Sequence, residues 1–138
     1  MIRFQSVMLV ALIAAVATPQ SFAQRAQRES ATPLFRQSLP NALGKELAVV
    51  LVRYPPGAKS VSHHHAPSAF IYAYVLSGEI RSQVEGKAEK VYRPGESWTE
   101  DPGAHHTISE NASESAEATL LAVFIVGQGE KLTIPDKH

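Results

Sequence analysis

From residue 32 onward the chain is a succession of short apolar or alternating runs, each cut off by turn-forming residues. Leu47 to Tyr54 (LAVVLVRY) stops at Pro55-Pro56-Gly57, and Ala69 to Leu76 (AFIYAYVL) stops at Ser77-Gly78. Glu79 to Val84 alternates up to Glu85-Gly86-Lys87, Glu89 to Arg93 ends at Pro94-Gly95, and Ser97 to Glu100 ends at Asp101-Pro102-Gly103. His105 to Ser109 runs into a polar loop (ENASESAE), and Ala118 to Val126 (ATLLAVFIV) ends at Gly127. Seven segments at this pace, with no amphipathic helical period, predict an all-β sandwich or barrel. The runs near 47, 69 and 118 are apolar at nearly every position, which predicts strands covered on both faces.

The first residues follow another pattern. Arg3 gives a positive start, Val7 to Ala17 is unbroken and apolar, and Ser21-Phe22-Ala23 sets small residues where a signal peptidase reads. That is the layout of a secretory signal peptide. The apolar run ends at Thr18-Pro19, short of the roughly 20 residues a spanning helix needs. The expected organisation is a signal peptide over 1–23, an N-terminal arm and first edge strand over 24–46, and a β-barrel over 47–138. The product would be secreted or periplasmic, with no membrane anchor after cleavage. It would be one domain, carrying 12 basic and 13 acidic residues once Arg3 is removed. No basic run tracks a phosphate backbone, which excludes nucleic acid as a partner. The chain has no cysteine, so thiolate chemistry is excluded and any metal must be held by nitrogen and oxygen.

Histidine changes the picture. Five of the six fall in two groups, His63-His64-His65 and His105-His106, each just after a turn. Imidazole is the commonest protein ligand for first-row transition metals. On an extended strand, residues 63 and 65 share a face and His64 takes the other. Two imidazoles spaced that way can converge on one ion, and a third from a neighbouring strand would complete the set.

Gly57-x5-His63-x-His65, with Gly78 closing the next strand, resembles the first motif of the cupin superfamily: G-x5-H-x-H, three or four residues, E, six residues, G. Gly95-x5-Asp101-x-Gly103-x2-His106 resembles the second, G-x5-P-x-G-x2-H-x3-N. The resemblance spans about Leu47 to Val126 and implies a small double-stranded β-helix (jelly-roll) barrel. It implies His63, His65 and His106 as ligands of one divalent metal ion (Fe, Mn, Ni or Zn). The departures are specific. The motif glutamate should stand at 69 or 70, where the chain has Ala69 and Phe70. Ile71, six residues before Gly78, is apolar too, and no carboxylate lies between His65 and Gly78. The proline of the second motif is Asp101, and its asparagine position holds Glu110, with Asn111 one place later. What remains is a three-histidine site with open positions and the full charge of the ion. Such a site suits a small anionic or chelating molecule, in dioxygenase, isomerase or decarboxylase chemistry. The alternative is a non-catalytic small-molecule or metal-binding module, because the fold hosts both. Pairing of two copies is common in the family.

Other residues carry weaker expectations. Tyr54, Tyr72, Tyr74 and Trp98 are read mainly as core, with one or two walling a substrate pocket. Phe70 is a candidate lining residue beside the metal. His105 either supports a ligand by a hydrogen bond or faces solvent. Glu100 is read as a surface residue, with an orienting or proton-accepting role as the alternative. Gln83 and Glu96 are the other polar residues nearest the motifs. The Asn111-Ala112-Ser113 sequon is read as incidental, and His138 has no evident partner.

Overall fold

Period-two alternation between cavity and exterior organises the chain once strands pair. The computed structural model describes residues 28–137; the signal peptide expected at 1–23, and His138, lie outside these residues. The strands are β1 (Ser30–Ser38), β2 (Lys45–Tyr54), β3 (His63–His65), β4 (Phe70–Ser77) and β5 (Ile80–Val84). They are followed by β6 (Lys90–Tyr92), β7 (Ser97–Glu100), β8 (His105–Asn111), β9 (Ala118–Gly127) and β10 (Thr133–Pro135). Each of the seven segments read from the sequence overlaps one of them, while β1, β3 and β10 lie outside those segments. Among the described residues there is no helix.

The strands form two antiparallel five-stranded sheets, ordered β1-β2-β9-β4-β7 and β10-β3-β8-β5-β6. The central strand of the first sheet sends Ala118, Leu120, Ala122, Phe124 and Val126 into the core. β4 sends Ile71, Ala73 and Val75, and β2 sends Ala48, Val50 and Tyr54. Several of these inward side chains are small, which leaves a cavity between the sheets.

The two-faced burial expected of the long runs does not hold. The outward positions of β4 and β9 include Phe70, Tyr72, Leu76 and Ile125, all exposed, and Leu121 and Val123 are only half-buried. One face packs inward, while the other is the exterior of the outer sheet. An unbroken apolar run cannot distinguish that case from a strand buried twice.

The turn after β4 requires Gly78. Its φ is +69°, a region that glycine enters without strain. A Cβ there would lie 2.5 Å from the Glu117 carbonyl oxygen and 2.6 Å from Ala118 Cα. The motif glycine is therefore the point where β4 turns away against the start of β9.

Candidate metal centre

Strand pairing brings the two histidine groups together. In the β3–β8 ladder His63 stands opposite His106 and His64 opposite His105. Alternation then sorts the five residues onto two faces. His63, His65 and His106 turn inward, and their ligand atoms lie within 4.8 Å of one another. His65 and His106 are both 5 % exposed. β8 departs from strict alternation: its register with β5 shifts between Gln83 and Val84, which face Ile108 and His106. The extra residue, Thr107, lets both His106 and Ser109 be buried although three positions apart.

Each inward imidazole is anchored through one nitrogen. His63 Nδ1 donates to the Val61 carbonyl at 2.7 Å, and His65 Nδ1 donates to the Leu132 carbonyl at 2.8 Å. A carbonyl only accepts, so the proton of each neutral ring sits on Nδ1 and Nε2 keeps its lone pair. His106 Nε2 pairs with Ser82 Oγ at 2.8 Å. Fixing one nitrogen so that the other is presented bare is how metal-ligating histidines are oriented. The Leu132 anchor comes from the segment just before β10, where no motif in the sequence points to a role.

A carboxylate stands beside them. Glu100, expected at the surface, is 2 % exposed and points inward from β7. Its Oε2 is 3.0 Å from His65 Nε2 and its Oε1 is 3.2 Å from His106 Nδ1. The Trp98 indole N–H donates to Oε1 at 3.0 Å. The four residues Ser97–Glu100 offer one alternation, and only pairing with β4 shows which side faces in. Trp98 was the available signal, since it and Glu100 lie two apart on one face.

Burial works to raise the Glu100 carboxyl, but His65, His106 and the Trp98 N–H hold it down at about 2. Burial lowers His106 to about 4 and also lowers His63, keeping both rings neutral. For His65 burial acts downward as well, yet the facing Glu100 carboxylate raises it overall. Metal ligation requires neutral imidazoles beside an ionised carboxylate, so an ion bound here would displace any proton held by His65.

Two buried atoms, His65 Nε2 and Glu100 Oε2, have no hydrogen-bond partner. Buried polar atoms are almost always satisfied, so this pair of lone-pair-bearing atoms fits a cation. The donor set is imidazole nitrogen with one carboxylate oxygen nearby, which suits a divalent first-row metal. His63, His65 and His106 are the residues that would hold it.

The group closes one part of a cavity of about 410 Å³. Its walls are largely apolar, including Val50, Ile71, Ala73, Leu120, Ala122 and Phe124, and Arg28 and Glu29 also line it. Arg28 is exposed, so a cation stands on the solvent side. Of the aromatic candidates, Tyr54 and Trp98 line the cavity. Tyr72 is exposed, and Tyr74 shares its outward side of β4. Phe70, expected as a lining residue, is 39 % exposed and faces out, so Ile71 takes the inward place. The Tyr54 hydroxyl is tied to Ser60 and Ser109, each at 2.8 Å. Burial pushes it up to about 12 against those bonds, which removes it as a proton donor or acceptor near neutrality.

On the opposite face His64 and His105 stack, with ring centroids 4.0 Å apart and planes 5° from parallel. Asp136 joins them, its Oδ1 3.1 Å from His64 Nδ1 and its Oδ2 2.9 Å from His105 Nε2. Ser62 Oγ donates to the same Oδ2 at 2.6 Å. These atoms satisfy one another, and the cluster ties the segment after β10 to β3 and β8. His105 thus faces away from the metal ligands. Glu96 pairs with Lys90 at the surface. Gln83, half-buried, accepts a bond from Thr107 through its backbone carbonyl.

Comparison with known proteins gives the family and the fold. The family model described as "Cupin domain" matches residues 50–124. None of the curated proteins compared with the chain matches it. Among solved structures it is similar to the protein TT1209 from Thermus thermophilus, at 27 % identity and a TM-score of 0.58 over 72 % of this chain and 84 % of that one. A double-stranded β-helix protein from Klebsiella pneumoniae is 13 % identical, with a TM-score of 0.62 over 91 % and 100 % of the two chains. A Thermotoga maritima protein described as a predicted oxalate decarboxylase is 26 % identical, with a TM-score of 0.50 over 69 % and 92 %.

Proposed function

Since the chain belongs to the cupin domain family, we propose that it binds one divalent metal ion through His63, His65 and His106 and acts there on a small anionic or chelating molecule. The observation that carries this is the set of three converging imidazoles, each anchored through one nitrogen. When bound, the ion would supply Lewis-acid polarisation or, if iron, a site for O2. The protein does the rest. Its apolar walls exclude water and strengthen the pull on a charged ligand, and Arg28 offers a carboxylate a charge-assisted bond on the solvent side. Glu100 accepts hydrogen bonds or a proton beside His65 and His106.

A dicarboxylate or an enolisable diketone combines the expected charge with two chelating oxygens. The Thermotoga relative's description points to the same class. The reactions in view are dioxygenation, isomerisation and decarboxylation. One observation favours the non-catalytic alternative: the Tyr54 hydroxyl in the cavity is engaged and shifted far from neutrality. That leaves few groups to move protons.

The first test is elemental analysis of untagged protein beside a His63→Ala/His106→Ala variant. About one equivalent of Fe, Mn, Ni or Zn, lost in the variant, is expected. Protein that is metal-free and takes up no added ion overturns the reading. With loaded protein, oxalate, malonate and acetylacetone are then screened for ligand-induced stabilisation, O2 uptake and CO2 release. Stabilisation without turnover selects the binding module.

We further propose that the protein is exported and that two copies pair. Mass analysis of periplasmic protein should give a chain starting at Gln24. The outward face of β9 and β4, with Val123, Ile125, Phe70 and Tyr72, is the surface a second copy would cover. Sedimentation of a Val123→Arg variant should then show a monomer where the parent shows a dimer, and a monomeric parent refutes the pairing.

A further inference from the structure

We propose that Glu100 is a fourth metal ligand, supplied from β7 in place of the motif glutamate that the chain lacks. The inference rests on the three-histidine reading and adds a residue to it. No carboxylate lies between His65 and Gly78, and Ile71, the residue six places before Gly78, points into the cavity with 1 % exposure. Ile71 pairs directly with Glu100 across the β4–β7 ladder. Side chains at facing positions of an antiparallel pair share one face of the sheet and sit side by side. A carboxylate at 100 therefore covers the stretch of wall that one at 71 would cover.

The local geometry favours a ligand over a group that merely orients the histidines. An orienting carboxylate accepts the ring N–H remote from the metal. In His65 that N–H is already given to the Leu132 carbonyl. The nitrogen that meets Glu100 is Nε2, 3.0 Å from Oε2, and neither atom has a hydrogen-bond partner. In the neutral ring both atoms present lone pairs, and a cation shared between them would make the contact favourable. His106 meets the same carboxylate, its Nδ1 3.2 Å from Oε1, while its Nε2 is 2.8 Å from Ser82 Oγ. The Trp98 indole bond to Oε1 fixes the carboxylate plane and leaves Oε2 for the ion.

The consequence is chemical. A bound carboxylate lowers the charge of the centre from +2 to +1 and fills one position. That would leave fewer positions for an incoming ligand than three histidines alone.

The test is a crystal structure of untagged wild-type protein loaded with Zn(II), beside Zn(II) affinities of wild type, Glu100→Gln and Glu100→Ala measured by chelator competition. The expected structure has a Glu100 oxygen at about 2.0–2.2 Å from the ion. Both variants are expected to lose more than a hundredfold in affinity, beyond the 10–100-fold typical of outer-shell partners. They should melt, metal-free, within a few degrees of the parent. An ion on the three histidines with both Glu100 oxygens beyond about 3 Å, or variants that bind as the parent does, overturns the inference and leaves the three-histidine site standing. A wild-type protein that binds no Zn(II) overturns both. If the variants do not fold, the wild-type distance decides alone.

Discussion

The facing pair Ile71 and Glu100 permits a quantitative test of how the cavity wall is built. Replacing Ile71 with Glu, with Glu100 retained, sets two carboxylates at adjacent inward positions about 5 Å apart. At an effective dielectric near 20, appropriate even to buried sites, their repulsion is about 3 kcal/mol. Losing the buried Ile71 side chain removes roughly a further 2 kcal/mol of apolar burial. Together these approach the whole stability of a domain this size, so chelator-treated Ile71→Glu is expected to be largely unfolded or to melt far below the parent. The exchange Ile71→Glu/Glu100→Ile restores one carboxylate and one aliphatic group on the same wall. Urea unfolding of the parent, the two single variants and the double variant gives the coupling directly. We expect the Ile71→Glu penalty to shrink by about 3 kcal/mol in the Glu100→Ile background. Coupling below about 0.5 kcal/mol would falsify the facing arrangement. Zn(II) should rescue the single variant, because a cation neutralises the paired carboxylates, and a chelator-insensitive melt would contradict the proposed centre.

Three further outcomes follow from particular contacts. Gly78→Ala forces a Cβ against the Glu117 carbonyl at φ +69°, so urea unfolding should show a loss of at least about 2 kcal/mol; a loss under about 1 kcal/mol is incompatible with that turn. Asn111 donates through Nδ2 to the carbonyls of Tyr54, Pro55 and Ala116 and accepts from the Ser113 N–H. Asn111→Ala should therefore cost about 2–4 kcal/mol by stranding buried carbonyls, and the 4 % exposure of Asn111 keeps its sequon unglycosylated in the folded protein, which intact mass can check. Asp136, facing Ser62, His64 and His105, is held at about 2, against 3.8 unperturbed, chiefly by the Ser62 hydroxyl and His105. A depressed carboxyl contributes stability above its unfolded value and loses it as pH falls through the folded one. Hydrogen exchange of the β10 amides should stay slow down to about pH 4 and speed up towards pH 2 ahead of β9, while Asp136→Asn should exchange fast throughout; matching behaviour of the two proteins refutes the clasp.

Much of the fold was legible because it is written in local chemistry. Pro-Gly and Ser-Gly breaks delimit the strands, and period two separates His63 and His65 from His64 wherever the backbone is extended. His106 was reachable through motif spacing. Glu100 and Phe70 depart from expectation for one shared cause, the side of the strand that faces in. Ser97–Glu100 is too short to state which side is inward, so Glu100 resembles a surface acid until pairing with β4 turns it onto the cavity wall beside Trp98. Phe70 stands where a motif count places the glutamate, but pleating sends it out and Ile71 in.

By itself, then, the sequence determined the element type and the turns, which follow from residue patterns within one segment, and it offered His63, His65 and His106 as candidates through spacing in two motifs. Tertiary structure alone decided the rest. Ser82 and the Leu132 carbonyl lie 24 and 67 residues from the histidines they anchor, and Glu100 meets His65 from a position far along the chain. The bulge at Thr107 exists only against β5. A hydrogen bond or an ion site needs its atoms within about 3 Å, and separation along the chain carries no information about that distance until the sheets have closed.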